Sequence, residues 1–582
     1  MSGPQMRQPP VAVAYRAITH PAPANRVQRN RGHRRPAPPY LAETSNRSTA
    51  ARWQLSSLAE GEVHVGTELD GTHEVALIDT PLDFIEKHVE HRLCSTPHSI
   101  REFRRYEVLT VMTRHRTLLR GGTILTMDPQ LGTLPEADLL IEDGIIVAVA
   151  RSIPVADADI VDVTGHIVAP GMIDTHRHTW QTQLRGVCAN WTLVDYLFGM
   201  RFGICPAYQA EDVRLGNRLG ALDALNAGVT TILDFSHCNN TPDHADAAVN
   251  GLADAGIRAV FGYGFFESNP AASQFGSHAD RLADFGRIAD SSFSSSDGLL
   301  TLGAALSEPG FVPFEGTRAE IEAARECDAL IVTHTGCVWS LPNGVAELDS
   351  AGLLGPDQVH VHCNALTDEE WRMLARSGGK LSISVETELN MGMGRPAFAA
   401  AMRHGIKPTL SCDVISLNTG DLFTQVRMGV AFQRWADTEP LNLGGADPTS
   451  VTISAHEAIE WTTVNAADAV GLEHRIGSLR PGKQADIIVV GGPAMSQHPV
   501  LDPAGTLVFQ TSAHDVRHVL VSGQFRKRDG QLVGIDLPCL LTAADSSAER
   551  VLARLEAAGR VLPGTPEGGW EFLTQLSATA QS

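Results

Sequence analysis

Pro170-Gly-Met-Ile-Asp-Thr-His176-Arg-His178 is a short apolar run that ends on two histidines, and its reading decides the fold. Seven similar runs follow it: Val229-Thr-Thr-Ile-Leu-Asp-Phe, Ala259-Val-Phe-Gly-Tyr, Leu300-Thr-Leu-Gly-Ala-Ala-Leu, Ala329-Leu-Ile-Val-Thr, Val359-His-Val-His, Lys380-Leu-Ser-Ile-Ser-Val and Pro408-Thr-Leu-Ser-Cys. Between them lie stretches with helical spacing, such as Ala210-Glu-Asp-Val-Arg-Leu-Gly-Asn-Arg-Leu-Gly. Near-continuous apolar strands separated by helices predict a parallel sheet covered on both faces. Eight of them predict an α/β fold, a closed (β/α)8 barrel over residues 166–475, with its active site at the C-terminal ends of the strands.

Outward from that core, both flanks turn strand-rich. Thr117-Leu-Leu-Arg-Gly-Gly-Thr-Ile-Leu-Thr, Asp138-Leu-Leu-Ile-Glu-Asp-Gly-Ile-Ile-Val and Ile160-Val-Asp-Val precede the barrel. Ala485-Asp-Ile-Ile-Val-Val, Val516-Arg-His-Val-Leu-Val and Gln524-Phe-Arg-Lys follow it. Gly-bearing turns separate these strands, so residues 112–165 and 476–535 are expected to pair into one small β-sandwich. Residues 536–582 are expected to form a helical tail. The first fifty or so positions are rich in Arg, Pro and Ser and nearly free of acids, a composition that buries too little surface to order itself. Met112 opens the strand-rich region like a natural start. Residues 1–111 therefore read as a dispensable extension, either largely disordered or an over-called start, with an oligomerisation or regulatory arm as the alternative.

Composition excludes several classes. The 582 residues carry a net charge of −21, which argues against a nucleic-acid surface, since phosphate binding needs clustered Lys and Arg. No apolar run approaches the length of a membrane span, and the N-terminus lacks the apolar core of a secretory signal. The 9 cysteines form no Cys-x-x-Cys pair, so they read as reduced thiols of a cytoplasmic enzyme. A small-molecule substrate is the expected partner, and self-association is left open.

The chemistry-bearing residues fall at the strand ends. Alternate residues of an extended segment share a face, so His176 and His178 can meet one ion. His334 ends the fifth strand, His360 and His362 lie on the sixth, and Asp413 ends the eighth. The set His176, His178, His334 and Asp413 suits one divalent ion, Zn²⁺ before Fe²⁺ or another first-row metal, with a position left for water. Such an ion brings water close to ionisation at neutral pH. A lone His-x-His pair would carry little weight; four candidate ligands at strand ends of one barrel carry much more.

Leu118-Leu-Arg-Gly-Gly-Thr-Ile-Leu-Thr-Met, Gly165-His-Ile-Val-Ala-Pro-Gly-Met-Ile-Asp-Thr-His-Arg-His, Thr463-Val-Asn-Ala-Ala-Asp-Ala-Val-Gly-Leu and Ile476-Gly-Ser-Leu-Arg-Pro-Gly-Lys-Gln-Ala-Asp stand in that order. Together they resemble the amidohydrolase superfamily, in its cytosine deaminase/chlorohydrolase (triazine hydrolase-like) branch, over roughly residues 116–535. The resemblance implies that His176, His178, His334 and Asp413 bind the metal. It implies that Asp413 also takes a proton from the attacking water, and that His362 orients or polarises the scissile centre. The implied activity is hydrolysis of a C–N or C–Cl bond in a nitrogen-containing heterocycle. An amide or carbamate-type hydrolase and an inactive binding scaffold stand as alternatives.

Two departures from that resemblance bear on the leaving group. The family's deaminases place a proton-shuttling Glu three residues after the strand-five His, where this chain has Cys337. A thiol near its ordinary pKa carries protons poorly for that purpose. After strand seven, Glu388 stands where the family has Asn, two residues from Glu386. Read as extended chain, Glu386 and Glu388 share a face; if it is the pocket, one of them can replace the missing acid or bind a cationic group, the bland alternative being solvated loop acids. Gln181 and Gln183 are expected at the pocket rim, their bland alternative being ordinary loop polarity.

Overall fold

The eight apolar runs are eight strands of one sheet. The computed structural model describes residues 115–582 apart from 269–273, 296–297, 493–494 and 582, together with three earlier strands. Those three, β1 (Trp53–Ser57), β2 (Val63–Leu69) and β3 (Thr72–Leu77), pair antiparallel in a sheet within their own unit, Met1–Thr113. Apart from these strands, the expectation of an extension over residues 1–111 lies outside the described residues.

The second unit, Arg114–Ser582, begins with β4 (Arg116–Leu125), β5 (Thr133–Glu142), β6 (Ile145–Ala150), β7 (Asp159–Asp162) and β8 (His166–Pro170). Eight parallel strands follow: β9 (Met172–Arg177), β10 (Val229–Ser236), β11 (Arg258–Gly264), β12 (Leu300–Ala305), β13 (Leu330–Thr335), β14 (Gln358–His362), β15 (Lys380–Ile383) and β16 (Pro408–Leu410). The chain returns through β17 (Ile487–Gly491), β18 (Val516–Val521), β19 (Gln524–Arg528) and β20 (Gln531–Leu532).

Every residue of β9 and β10 is buried, as a sheet covered on both faces requires. An isolated parallel bridge between Arg177 and Asp413 joins the first and last strands, so the barrel closes at the end that carries the site.

The two flanks pair into one sheet of order β20-β19-β18-β17-β8-β4-β5-β6, with β7 beside β4. Leu119, Ile124, Leu139, Val168, Ile487 and Leu520 lie in a core of its own. The antiparallel pairing of β8 with β17 stitches the flanks together. Here the structure departs from the boundary read at residue 166, because β8 belongs to the flanking sheet. Pro170 has no amide hydrogen to extend that ladder. At Gly171 the chain crosses into the barrel so tightly that a Cβ would meet Thr230 Oγ1 at 2.1 Å.

Two helices, Leu537–Ala557 and Gly569–Gln581, make up the tail. A further irregular segment lies beyond β9: a short helical turn at Leu193–Tyr196, a π-helical stretch at Leu197–Ile204 and a tight turn at Cys205–Ala207. Among the described residues no helix is long and apolar enough to cross a membrane.

Candidate metal centre and its cavity

Alternation along β9 sets the first two residues. Arg177 turns to Asp174, with Nε donating at 2.8 Å, and to the Gly420 carbonyl. Its neighbours His176 and His178 converge instead on Asp413: their Nε2 atoms lie 3.1 and 3.3 Å from Asp413 Oδ1. His334, from the end of β13, brings its Nε2 to 3.3 Å from that of His176. His362 Nε2 stands 3.9 Å from Asp413 Oδ2. The structure therefore brings His176, His178, His334, His362 and Asp413 to one place.

Two of these side chains sit on strained backbone. His362 and Asp413 have φ of +76° and +56°, the left-handed region that non-glycine residues rarely occupy. Their strands end there, and the reversal turns both side chains inward over the barrel. Such strain persists where surrounding structure holds it, as at ligand sites.

The hydrogen bonds around the imidazoles bear on what the cluster can hold. His178 Nδ1 is 3.1 Å from the Phe235 carbonyl, which can only accept, so Nδ1 carries the proton and Nε2 is bare. His334 Nδ1 donates in the same way to Glu308 Oε1 at 3.1 Å. The bare Nε2 atoms of His178 and His334 thus face Asp413 Oδ1 and His176 Nε2, each at 3.3 Å, and only His176, whose Nδ1 has no partner among the described residues, is left to hold a proton toward Asp413. Such a donor set suits a divalent cation, and fixing His178 and His334 through their far nitrogens is how ligating histidines are oriented.

The protonation states agree. Burial pushes the His176 imidazole down to about 4 and His178 well below its ordinary value, so both are neutral at neutral pH, the form that can ligate a metal. Burial alone would raise the Asp413 carboxyl, but its hydrogen bond to His176, with the charges of the surrounding histidines, holds it well below the usual carboxylate range. His362 goes the other way. Burial opposes its protonation, yet the hydrogen bond to Glu388 and the charge of Asp413 outweigh that and raise it.

The remaining expected residues separate. Glu388 is wholly buried and accepts from His362 Nδ1 at 3.1 Å, from the Ser384 amide at 2.9 Å and from Asn364 at 3.0 Å. It holds His362 and does not line the cavity. Glu386 leaves the site altogether, pairing with Gln425. The shared face expected for these two glutamates fails because Val385–Asn390 is a helix, where residues two apart point to opposite sides. Gln181 and Gln183 are also drawn away from the rim. Gln181 is buried between the Tyr196 hydroxyl and Ser416, and Gln183 bonds the Asp212 carbonyl and Ser547. Cys337 does line the cavity; burial and then the nearby Glu308 charge push its thiol well up.

Two cavity residues escaped the sequence reading. Arg201, buried in the π-helical segment, lies over the Phe266 ring at 4.2 Å and donates from Nη1 to Glu308 Oε1 at 3.3 Å. Its Nε and Nη2 have no protein partner among the described residues. Glu308 follows β12 and spends Oε1 on both Arg201 and His334, leaving Oε2 without a described partner. Burial would raise the Glu308 carboxyl, but the pull of His334, then of Arg201, brings it down to about 2. Signals existed for both. Arg201 is the one charge in Leu197-Phe-Gly-Met-Arg-Phe-Gly-Ile, and Glu308 stands just past the end of the fourth barrel strand.

Known proteins carry similar sequences and folds. A sequence model described as the amidohydrolase family matches residues 167–526. The 5'-deoxyadenosine deaminase of Methanosarcina mazei is 24% identical over 451 residues, covering 76% of this chain and 99% of the relative. The 5-methylthioadenosine/S-adenosylhomocysteine deaminase of Symbiobacterium thermophilum is 25% identical over 430 residues, 71% of this chain and 94% of the relative. Among solved structures, a zinc-bound adenosine deaminase from Xanthomonas campestris superposes with a TM-score of 0.66 at 23% identity, covering 75% of this chain and 98% of that one. A zinc complex of atrazine chlorohydrolase from Arthrobacter aurescens gives 0.65 at 21%, covering 74% and 100%.

Proposed function

The chain belongs to the amidohydrolase family, and from that premise we propose that it is a metal-dependent hydrolase cleaving a C–N or C–Cl bond of a nitrogen-containing heterocycle. One observation carries the reading: the Nε2 atoms of His176, His178 and His334 converge with an Asp413 oxygen on the floor of a cavity. In our reading these four are the ligands of one divalent ion, zinc by preference because N/O donor sets of this kind suit it and two solved relatives hold it. When bound, that ion supplies Lewis acidity and acidifies water.

The protein's own groups then divide the work. Asp413, held ionised, accepts the proton of the attacking water. His362, fixed through Nδ1 by Glu388, presents Nε2 to the negative charge that develops on the ring. Glu308 Oε2, on a carboxylate held ionised, accepts an N–H bond from the substrate. It does so from the neighbouring strand end, because position 337 offers only a high-pKa thiol. Leu197, Phe202 and Phe266 line the cavity and exclude bulk water.

The test is metal analysis of the purified protein, followed by a screen that scores ammonia, amine and chloride release separately. The compound 5'-deoxyadenosine heads the screen because a relative is named for it. Expected are one bound divalent ion per chain and release of one of the three leaving groups. A protein that binds no divalent ion stoichiometrically would overturn the reading.

A further inference from the structure

The C-terminal tail lies along the irregular segment Leu193–Ala207, which supplies Tyr196 and Arg201 to the cavity. Arg554 Nη1 donates to the Ala207 carbonyl at 2.7 Å and Arg560 Nη1 to the Phe202 carbonyl at 2.8 Å. Thr565 Oγ1 donates to Asp195 at 2.6 Å, and the Phe572 ring lies 6.0 Å from that of Phe198. Pro563 comes so close that a Cβ on Gly199 would meet its Cα at 3.1 Å. The last helix, Gly569–Gln581, then sends Leu573 into the cavity wall, where it is fully buried.

The first two turns of that helix are thinly held. Across positions 569–575 only Gly569 and Leu573 are buried, one turn apart on the same face, while Phe572 is 47% exposed. A stretch with so few buried apolar side chains opens at lower cost than the barrel beneath it. Leu193, Leu197, Phe202 and Phe266 accompany Leu573 in the cavity lining, and none of them carries a polar side-chain atom. The polar groups there belong chiefly to the floor and to the Arg201–Glu308 pair.

We propose that the helix Gly569–Gln581 is a lid over the substrate cavity, and that Leu573 selects heterocycles whose non-reacting end is apolar. The lid follows from the contacts alone; the selectivity rests on the hydrolase reading above. Closure shields the reacting bond from bulk water, and Leu573 packs on the substrate's far end.

Cys337 lines the same cavity, so its alkylation by N-ethylmaleimide reports access without needing turnover. Exposed Cys539 serves as internal standard, and buried Cys188 and Cys412 report unfolding, all read by peptide mass spectrometry on the zinc-loaded full chain. Removing residues 569–582 should raise the Cys337 rate, relative to Cys539, at least tenfold, and Leu573→Ala at least threefold. Unchanged ratios in both variants overturn the lid. If the truncated chain labels at Cys188 and Cys412, it has unfolded, and Leu573→Ala decides by the same criterion. In turnover, Leu573→Ala should raise KM at least fivefold with kcat kept within threefold. A fall in kcat with KM kept overturns the selectivity. Should no heterocycle be hydrolysed at all, the hydrolase reading fails, and the labelling ratio still decides the lid.

Discussion

The floor of the cavity and its wall are made by different kinds of chain. His176, His178, His334, His362 and Asp413 stand at strand ends, and the parallel register of the barrel fixes their spacing. Arg201, Glu308, Cys337 and Leu573 come instead from a π-helical segment, two loops and the last helix. The floor is pinned by hydrogen bonds to neighbours that are themselves buried, such as Phe235 and Glu388. The wall is held by an ion pair that faces the cavity, by hydrogen bonds from the C-terminal tail and by a few apolar contacts. Chemistry that every member of a family shares can reside in the floor, while the choice of substrate can change in the wall without disturbing it.

Substitutions that strike the two parts separately should sharpen this contrast. The largest effect is expected at the floor. Asp413→Ala should lower kcat by about a thousandfold or more and reduce bound metal while the far-UV spectrum stays native, since it removes both a proposed ligand and the proposed proton acceptor. Retained turnover would break the division at its strongest point. On the wall, Glu308→Gln should lower kcat/KM by about ten- to a hundredfold, the loss of one charge-assisted hydrogen bond to substrate. At least half the metal should stay bound, measured by elemental analysis, because the amide oxygen can still accept from His334.

Glu388→Gln should lower kcat by about ten- to a hundredfold, the usual range for a residue that orients another, with KM little changed. Cys337→Ala should cost less than about tenfold in turnover, the size of an ordinary packing change in a pocket. A loss of several orders of magnitude there would make the thiol a catalytic group.

The smallest expected effect concerns stability. His360 is buried, bonded at Nδ1 to Thr335, and burial pushes it down to about 4. Below the ordinary value of about 6.5 the unfolded chain takes a proton that the folded chain refuses. Stability present above that pH should therefore fall as the pH drops toward 4, by up to about 3 kcal/mol. Thermal melts of wild type and His360→Asn across pH 4–7 check this, the variant showing the shallower slope.

Much of the floor was legible before any fold was known. His-x-His at the end of an apolar run, with His334, His362 and Asp413 at later run ends, needs only strand alternation and the rule that barrels work at their C-terminal ends. The second layer was not legible. Whether Glu388 faced substrate or His362 depended on Val385–Asn390 being helical, and a six-residue segment carries too little periodicity to say so. Gln181 and Gln183 misled in the same way, because the turn Thr179–Leu184 directs both away from the cavity.

The barrel, the pairing of its flanks and the set of residues gathered at the candidate metal centre were all readable from the chain's own pattern. These follow from periodicities of two and of about four residues, which are local and repeat along the chain. Only the tertiary structure decided which acid faces the cavity, what holds His362, and that a tail more than 150 residues beyond Asp413 closes the wall with Leu573. Those outcomes depend on contacts between segments far apart in the chain, formed by single side chains with no repeating pattern to announce them.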